Sequence, residues 1–213
     1  MTYCISDTHG DFDRYQEMLR LIDFSDEDTL YFLGDAIDRG PKGVDILLDV
    51  MNRKNVIFLL GNHEQMCLDD LLRHEWNARS RWQMNGGGVT RSDLIYKRSQ
   101  IVRASVLRFL LRAPTALTID VKGQTFHLVH GFPAENDHDR LWNRPETNSP
   151  PPMEGAIVIV GHTPTPLLTD DYDSPFSIWH GNGLIDIDCG CASRSPMRRL
   201  GCLRLDDMAE FYV

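Results

Sequence analysis

The sequence lacks the features of a membrane protein and of a general nucleic-acid-binding protein. None of its apolar runs approaches the ~20 residues that a helix needs to span a bilayer. The first residues, MTYCISDTHG, show no signal-peptide pattern, so we expect a cytoplasmic protein without a membrane partner. Lys and Arg number 22 against 31 Asp and Glu, and the formal net charge of −9 argues against general nucleic-acid binding. A small nucleotide is not excluded, because metal ions and arginines can make a single pocket positive.

Cysteine is too scarce and too irregularly spaced for a disulfide framework or a structural zinc site. The chain has five cysteines, an odd number, so at least one has no partner within the chain. Cys189 and Cys191 are separated by one residue, which is tighter than the spacing of paired zinc ligands. We interpret the cysteines as structural thiols.

Strand-like and helical patterns alternate in the first third of the chain. Apolar residues recur at intervals of three and four between Phe12 and Ile22, which predicts an amphipathic helix between two strand-like runs. This alternation predicts an α/β fold with a parallel, helix-covered sheet. Residues 68–112 read as mostly helical, residues 134–152 as loop, and the second half as rich in strands. With 213 residues, the chain has the size of one elaborated domain, and we expect residues 1–213 to form it.

Side chains that bind metal ions follow five of the predicted strands. They are Asp7 and His9 after the first, Asp35 after the second, Asn62 after the third, and His130 and His162 after two later strands. In open α/β sheets ligands bind at the carboxyl ends of strands, so these ends predict one shared site. Carboxylate, imidazole and amide groups without a thiolate favour Mn²⁺, Fe or Zn. One carboxylate can bridge two ions about 3.5–4 Å apart, and Asp35 is our candidate for the bridge.

Five short motifs resemble the signature of the metallo-dependent phosphoprotein phosphatases, which are calcineurin-like metallophosphoesterases. In chain order they are Asp7-Thr8-His9-Gly10, the run Gly34 to Gly40 (GDAIDRG), Gly61-Asn62-His63-Glu64, His130-Gly131 and Gly161-His162-Thr163. Within this family the chain looks most similar to the bacterial and phage lambda-type serine/threonine phosphatases. That similarity includes the WQMNGGG run from Trp82 and the Trp142-Asn143-Arg144 triplet. The resemblance implies a four-layer α/β/β/α sandwich of two mixed sheets flanked by helices.

The resemblance also implies a role for each matching residue. Asp7 and His9 would hold a first divalent metal ion, Asp35 would bridge, and Asn62, His130 and His162 would hold a second ion. His63 would be the general acid, Asp38 would orient its imidazole, and Arg39 and Arg144 would bind the phosphate oxygens. Mn²⁺ is the expected metal, with Fe or Zn as alternatives. The implied reaction is direct attack on phosphorus by water held between the two ions, without a covalent phosphoenzyme.

Phosphoserine or phosphothreonine in a protein or peptide is the substrate that the resemblance favours, with phosphotyrosine as a further candidate. Leu60 weakens this expectation, because many members have a phosphate-binding Arg directly before the glycine of the Gly61 motif. The alternative is a nucleotide-directed hydrolase such as a diadenosine tetraphosphatase. Those enzymes look similar throughout but tend to lack the Asp at position 38, so Asp38 favours the protein phosphatases. Pro164 replaces the extra histidine of many nucleases and cyclic-nucleotide phosphodiesterases.

Three further interpretations stay open from the sequence. Arg39 and Arg144 are also compatible with ordinary surface ion pairs. The glycines from Gly86 to Gly88 fit either a plain flexible loop or a border of the site. A phosphate-binding regulator without catalysis is a third functional class, but such a protein should have lost a metal ligand or His63, and all seven are present.

Overall fold

Two β-sheets face each other, and the computed structural model describes them through residues 1–148 and 150–213. The strands are β1 (Thr2–Ile5), β2 (Thr29–Phe32), β3 (Val56–Phe58), β4 (Ala116–Val121), β5 (Gln124–Val129), β6 (Ile157–Val160), β7 (Trp179–His180), β8 (Leu184–Asp186), β9 (Gly201–Arg204) and β10 (Ala209–Tyr212). The α-helices are α1 (Phe12–Leu21), α2 (Gly43–Asn52), α3 (Asn62–Leu68), α4 (Ala78–Met84), α5 (Gly88–Ser92), α6 (Gln100–Arg112), α7 (Asp137–Trp142) and α8 (Pro166–Thr169). Two π-helical turns, Asp69–Arg73 and Asp93–Lys97, follow α3 and α5.

The first sheet has the order β10-β9-β1-β2-β3. Strands β1, β2 and β3 are parallel, and β9 and β10 extend the sheet in antiparallel pairing beside β1. Helices α1, α2 and α6 cover its outer face, where Tyr15, Leu47 and Val106 pack with Phe32 in one buried cluster. The predicted parallel, helix-covered sheet is confirmed for the first three strands.

The second sheet has the order β4-β5-β6-β8-β7, with β5, β6 and β8 parallel. A second buried cluster joins the two sheets, because Cys4 and Leu33 of the first sheet's side pack with Phe126, Ile159 and Ile185 of the other. Two mixed sheets with this core between them and helices outside confirm the predicted sandwich. The five cysteines are all buried and unpaired, in agreement with structural thiols.

The loops that follow β1 and β2 run side by side at the carboxyl end of the first sheet. The backbone N–H of Asp7 donates to the carbonyl of Gly34 at 3.1 Å, and the N–H of His9 donates to the carbonyl of Asp35 at 2.9 Å. These bonds continue the parallel pairing beyond the strands. They therefore bring the residues after β1 and β2 together, as the position of the strand ends predicts.

One segment differs from its prediction. Residues 134–152 read as loop, yet α7 lies within them, and its Asn136 cap accepts a hydrogen bond from the N–H of Asp139 at 2.9 Å. The helix is six residues long and carries two aspartates in its first turn, so it has too little apolar periodicity to be recognised. Ser149 of the same segment lies outside the described residues. In the described part of the chain, no helix has the length and apolar character that crossing a bilayer requires.

We predict that Gly34→Ala destabilises the protein more than Gly123→Ala. Both glycines are left-handed, with φ of 87° and 84°, so both substitutions cost about 1–2 kcal/mol of backbone strain. At Gly34 a new Cβ would also stand 2.5 Å from the backbone of Gly61, whereas at Gly123 it would meet nothing within 4 Å. Crowding of this kind costs about 1–3 kcal/mol more. Urea unfolding of both variants measures the difference, and equal losses would contradict the close approach of the two loops.

Candidate metal centre

The candidate site is built on backbone that non-glycine residues seldom adopt. Six of its residues have positive φ, namely Asp7, His9, Asp35, Asp38, Arg39 and His162, with values between 43° and 71°. Each costs about 1–2 kcal/mol relative to ordinary backbone, and such strain persists only where the surroundings hold it firmly. The strained residues point their side chains from several strand ends towards one buried region.

A buried carboxylate that was assigned no role from the sequence holds one of these loops. Glu64 is fully buried and accepts hydrogen bonds from the backbone N–H groups of Asp35 at 2.8 Å, Ala36 at 2.9 Å, Ile37 at 3.2 Å and Gly61 at 3.1 Å. It thereby joins the loop after β2 to the start of α3. The sequence could have indicated this role through the position of Glu64 in the first turn of a helix, because a Glu side chain there commonly reaches back to the capping residue.

A first group of ligand atoms comes from His9, Asp35 and His63, which lie within 4.8 Å of one another. His9 Nε2 is 3.5 Å from Asp35 Oδ2 and 3.7 Å from Asp7 Oδ1. His9 Nδ1 lies 2.9 Å from the carbonyl of Ile37, which can only accept, so Nδ1 carries the proton and Nε2 is free to bind a metal. The predicted ligands Asp7, His9 and Asp35 are thus together, and His63 also reaches this group.

Asp7 is fixed with one oxygen directed at this group. Its Oδ2 accepts a hydrogen bond from the Ser6 hydroxyl and another from the backbone N–H of His162 at 3.0 Å. Its Oδ1 faces His9. The contact with His162 links the first sheet to the second at the site.

A second group comes from Asp35, His130 and His162, again within 4.8 Å of one another. His130 Nδ1 lies 2.7 Å from the carbonyl of Leu33, so its proton is on Nδ1, and Nε2 faces Asp35 Oδ1 at 3.4 Å. His162 Nε2 is buried and has no hydrogen-bond partner among the described residues. Asp35 belongs to both groups, which is the position that a bridging carboxylate requires.

The side chain of Asn62 completes the second group. Its amide lies 3.0 Å from His130 Nε2, and the same end of the amide lies 3.3 Å from His162 Nδ1. It is also 3.0 Å from Asp35 Oδ2. With its NH₂ group in this position, the amide donates hydrogen bonds to the imidazole nitrogens and the carboxylate. With its oxygen there, all the facing atoms are acceptors, and a cation bound among them would make the arrangement favourable. The position therefore suits an amide that becomes a metal ligand.

Burial acts on these groups in two ways, because it keeps imidazoles neutral and makes a charged carboxylate costly unless a cation compensates it. It raises the pKa of Asp35 well above its ordinary value and lowers the pKa of His9 well below. It also lowers the pKa of His162 to about 2, with His130 and Arg144 adding to the effect. The imidazoles of His9 and His162 are therefore neutral, the form that binds metal ions, and a divalent cation would compensate the buried carboxylates. The residues present fit a pair of divalent ions.

His63 and Asp38 form a buried pair beside these groups. His63 Nδ1 lies 2.7 Å from Asp38 Oδ2, and the same oxygen accepts a hydrogen bond from Trp82 Nε1 at 2.6 Å. The backbone N–H of Asp38 donates to the hydroxyl of Thr90 at 2.9 Å. Trp82 and Thr90 were assigned no role from the sequence. Both lie in the helical segment between residues 68 and 112, where the run from Trp82 resembles the lambda-type phosphatases.

The two predicted phosphate-binding arginines lie at the edge of the site. Arg39 is exposed, and its Nη2 lies 3.3 Å from His63 Nε2. Arg144 Nη1 lies 3.2 Å from both the carbonyl of His162 and the hydroxyl of Thr163, to which it donates. Neither guanidinium forms an ion pair with a described carboxylate, so the surface ion-pair interpretation is not what the structure shows.

The structure also shows where Leu60 and the glycine run from Gly86 lie relative to the site. Leu60 is 5% exposed and packs in the buried cluster beneath the helices, so it contributes no phosphate contact. The carbonyl of Gly86 accepts a hydrogen bond from the N–H of Arg39 at 3.2 Å, and Gly87 packs against the ring of Trp82. The glycine run therefore borders the site and is not a plain flexible loop.

The sequence is similar to known phosphoesterases. Residues 2–189 match the sequence model of the calcineurin-like phosphoesterases. A segment of 64 residues is 41% identical to a symmetrical bis(5'-nucleosyl)-tetraphosphatase of Chromobacterium violaceum and covers 29% of this chain. A protein of the same name from Salmonella paratyphi B is 42% identical over 65 residues, or 30% of this chain. Each match covers 23% of the relative, so it spans less than a quarter of the relatives' length.

Solved structures share the fold. A candidate diadenosine tetraphosphatase superimposes with a TM-score of 0.65 at 16% identity and covers 100% of this chain and 92% of its own. A protein serine/threonine phosphatase from Saccharomyces cerevisiae gives 0.64 at 16% identity and covers 100% of this chain and 78% of its own. At such low identity these likenesses establish the fold alone.

We predict that Asp35→Ala removes both metal ions, whereas His9→Ala and His162→Ala each remove mainly one. The reason is that Asp35 alone belongs to both groups of ligand atoms. Elemental analysis of the purified variants, after equilibration with Mn²⁺, measures ions per chain. His127→Ala is the matched control, because His127 lies on β5, its Nδ1 is 2.9 Å from the Thr118 hydroxyl, and it belongs to neither group of ligand atoms. An Asp35→Ala protein that keeps two ions would rule out the bridging position.

Proposed function

The chain belongs to the calcineurin-like phosphoesterase family, and we propose that it hydrolyses its substrate with His63 as the proton donor to the leaving group. Members of this family are hydrolases that use divalent metal ions. When bound, two such ions lower the pKa of water and polarise the phosphoryl oxygens. The observation that carries the proposal is the buried His63–Asp38 pair, at 2.7 Å, directly beside both groups of metal-ligand atoms.

The chain's own residues would donate the proton, orient the proton donor and bind the phosphate oxygens. Asp38 accepts a hydrogen bond from the Nδ1–H of His63 and so stabilises the charged imidazolium that a proton donor needs. Nε2 of His63 faces the site, 3.8 Å from Asp35 Oδ2 and 3.3 Å from Arg39 Nη2. Trp82 donates to Asp38 and thereby keeps that carboxylate in position. The planar guanidinium groups of Arg39 and Arg144 suit two oxygens of a phosphate.

A dinucleoside polyphosphate is our first candidate for the substrate. The names of the relatives that match about 30% of the chain support this choice, since they are symmetrical bis(5'-nucleosyl)-tetraphosphatases. Leu60 supports it as well, because its burial leaves the site without a third guanidinium for an isolated phosphate. The preference for phosphoproteins rests on Asp38 and on the resemblance of the WQMNGGG run and the Trp142-Asn143-Arg144 triplet to the lambda-type phosphatases, and the names of these relatives do not support it.

A phosphomonoester of an alcohol, such as phosphoserine in a peptide, is the second candidate. The His63–Asp38 pair favours it on chemical grounds. Serine leaves as a strongly basic alkoxide that needs a proton, whereas a nucleotide leaves through a phosphate whose own second pKa is about 6. A fixed, buried proton donor therefore contributes more to cleavage of the alkyl ester.

We predict that His63→Asn lowers kcat for p-nitrophenyl phosphate by about 10²-fold or more with Mn²⁺ present, because Asn can contact Asp38 but cannot deliver a proton. The loss should be larger for phosphoserine, whose leaving group is more basic than p-nitrophenolate. Chelator should abolish the activity of the unchanged protein. Elemental analysis of the variant must show undiminished metal, since His63 also reaches the first ligand group. An equal loss on both esters with intact metal would remove His63 from the proton-donor role.

For the unchanged protein with Mn²⁺, we predict that kcat/KM for diadenosine tetraphosphate exceeds that for a phosphoserine peptide by at least about tenfold, the factor that 1.4 kcal/mol of transition-state binding gives. The reverse ratio would replace the first candidate with the second. Turnover of p-nitrophenyl phosphate alone would reject both substrates and keep the reaction. No turnover of any of the three with Mn²⁺, Fe or Zn would reject the proposed function.

A further inference from the structure

A cleft of about 300 Å³ opens beside the candidate metal centre. Its lining includes His9 and Arg39 of the site, Phe12 at the start of α1, and Cys191 and Arg198. Cys191 and Arg198 belong to the loop of residues 187–200 that connects β8 of the second sheet to β9 of the first. The cleft therefore shares residues with the site and is also lined by the start of α1 and by this loop.

Two guanidinium groups in the cleft have no carboxylate partner among the described residues. Neither Arg39 nor Arg198 lies within ion-pair distance of a described acidic side chain. Arg198 is half-buried, and its Nη1 donates a hydrogen bond to the carbonyl of Ser193 at 3.0 Å. This bond holds the side chain along the loop. Its remaining donors stay available. A planar guanidinium with free donors is the group that proteins use to bind phosphate.

The other charged groups of the cleft are already paired. Lys42 Nζ binds Asp13 at 2.8 Å. The carboxylate of Asp11 caps α1 by accepting from the N–H of Arg14 at 3.2 Å, and it lies 3.9 Å from Arg14 Nε. The two aspartates are thus compensated by neighbours, so the uncompensated charge in the cleft is positive. This local charge is opposite to the net charge of −9 of the whole chain.

We propose that this cleft is a second phosphate subsite, which binds the phosphate chain of a nucleotide substrate beyond the phosphorus that is attacked. Arg198 is its principal cation, and Arg39 is shared between the subsite and the metal centre. The proposal rests on the proposed function and deepens it. A volume of 300 Å³ is at the low end for ligand pockets, which suits a short phosphate chain better than a whole dinucleotide. A simple phosphomonoester has no group to place there.

Arg198→Gln tests the subsite, and Arg194→Gln is the matched control. Arg194 is exposed in the same loop and does not line the cleft. With Mn²⁺, Arg198→Gln should lower kcat/KM for diadenosine tetraphosphate by about 10- to 100-fold, mainly through KM, as expected for lost hydrogen bonds to a charged group. Its loss on p-nitrophenyl phosphate should be at least tenfold smaller. Arg194→Gln should leave both substrates within about twofold, as a surface substitution away from the cleft.

A binding measurement supplies a readout that does not depend on turnover. Titration calorimetry with a methylene-bridged analogue of diadenosine tetraphosphate should show the same 10- to 100-fold weakening in Arg198→Gln, with and without Mn²⁺. Equal losses on both substrates would make Arg198 a support of its loop, and no loss would leave the cleft unused. Either result overturns the subsite.

The remaining outcomes separate the subsite from the function on which it rests. If the unchanged protein hydrolyses p-nitrophenyl phosphate but neither hydrolyses the dinucleotide nor binds its analogue, the subsite is wrong and phosphoester hydrolysis stands. If it binds the analogue through Arg198 but hydrolyses nothing, the subsite stands and the proposed function fails. If only a doubly phosphorylated peptide depends on Arg198, the nucleotide assignment is overturned.

Discussion

Four of the carboxyl groups that are buried where the strands of the two sheets end belong to the motif residues of the site, and each must be compensated inside the protein. They belong to Asp7, Asp35, Asp38 and Glu64, none of which is more than 2% exposed. An uncompensated charge in such surroundings is prohibitively costly. Glu64 receives four backbone N–H groups, and Asp38 receives the imidazole of His63 and the indole N–H of Trp82. Asp35 accepts one backbone hydrogen bond, from the N–H of His63, and burial raises the pKa of its carboxyl group well above the ordinary value. Divalent cations would supply the positive charge that this carboxylate lacks.

This electrostatic demand explains the unusual backbone around the site. A carboxylate compensated by N–H groups needs several amides turned towards one point, and the interior of a strand or helix has its N–H groups already paired. The chain meets the demand with left-handed residues such as Asp35 and Asp38, each at a cost of about 1–2 kcal/mol. The four bonds to Glu64 hold the first of these loops, and the contact of Asp7 with His162 links the two sheets at the site. Because binding to preformed ligands adds to folding stability, metal ions should also stabilise these strained loops.

The predictable part of the site is the part that the strands dictate. Parallel strands end at one edge of a sheet, so motif residues after β1, β2 and β3 had to converge, and His9, Asp35 and Asn62 do. Trp82 was not predictable as a partner of Asp38, because 44 residues separate them and only the packing of α4 brings the indole N–H to the carboxylate. Arg198 could not be predicted as a phosphate-binding residue for a related reason. It stands in a loop with no motif, and its value comes from a cleft shared with α1, which no pattern within the loop encodes.

The substrate is the feature that the motif residues determine least, since the proposed metal ligands and phosphate-binding arginines would act on the phosphorus and not on the leaving group. Two other features would act on the leaving group, and each would favour a different class of substrate. A proton donor such as His63 matters more as the leaving oxygen becomes more basic, and therefore most for an alkyl ester. A cation such as Arg198 matters more as the leaving group carries more negative charge close to the site, and therefore most for a phosphate chain. Asp38 and Trp82 are buried and fix the first feature, whereas Arg198 is only half-buried in its loop. Under the two proposals, specificity between the two substrate classes would depend on how strongly the cleft binds the phosphate chain relative to the contribution of the proton donor. It could then change through the loop alone while the buried centre stays the same.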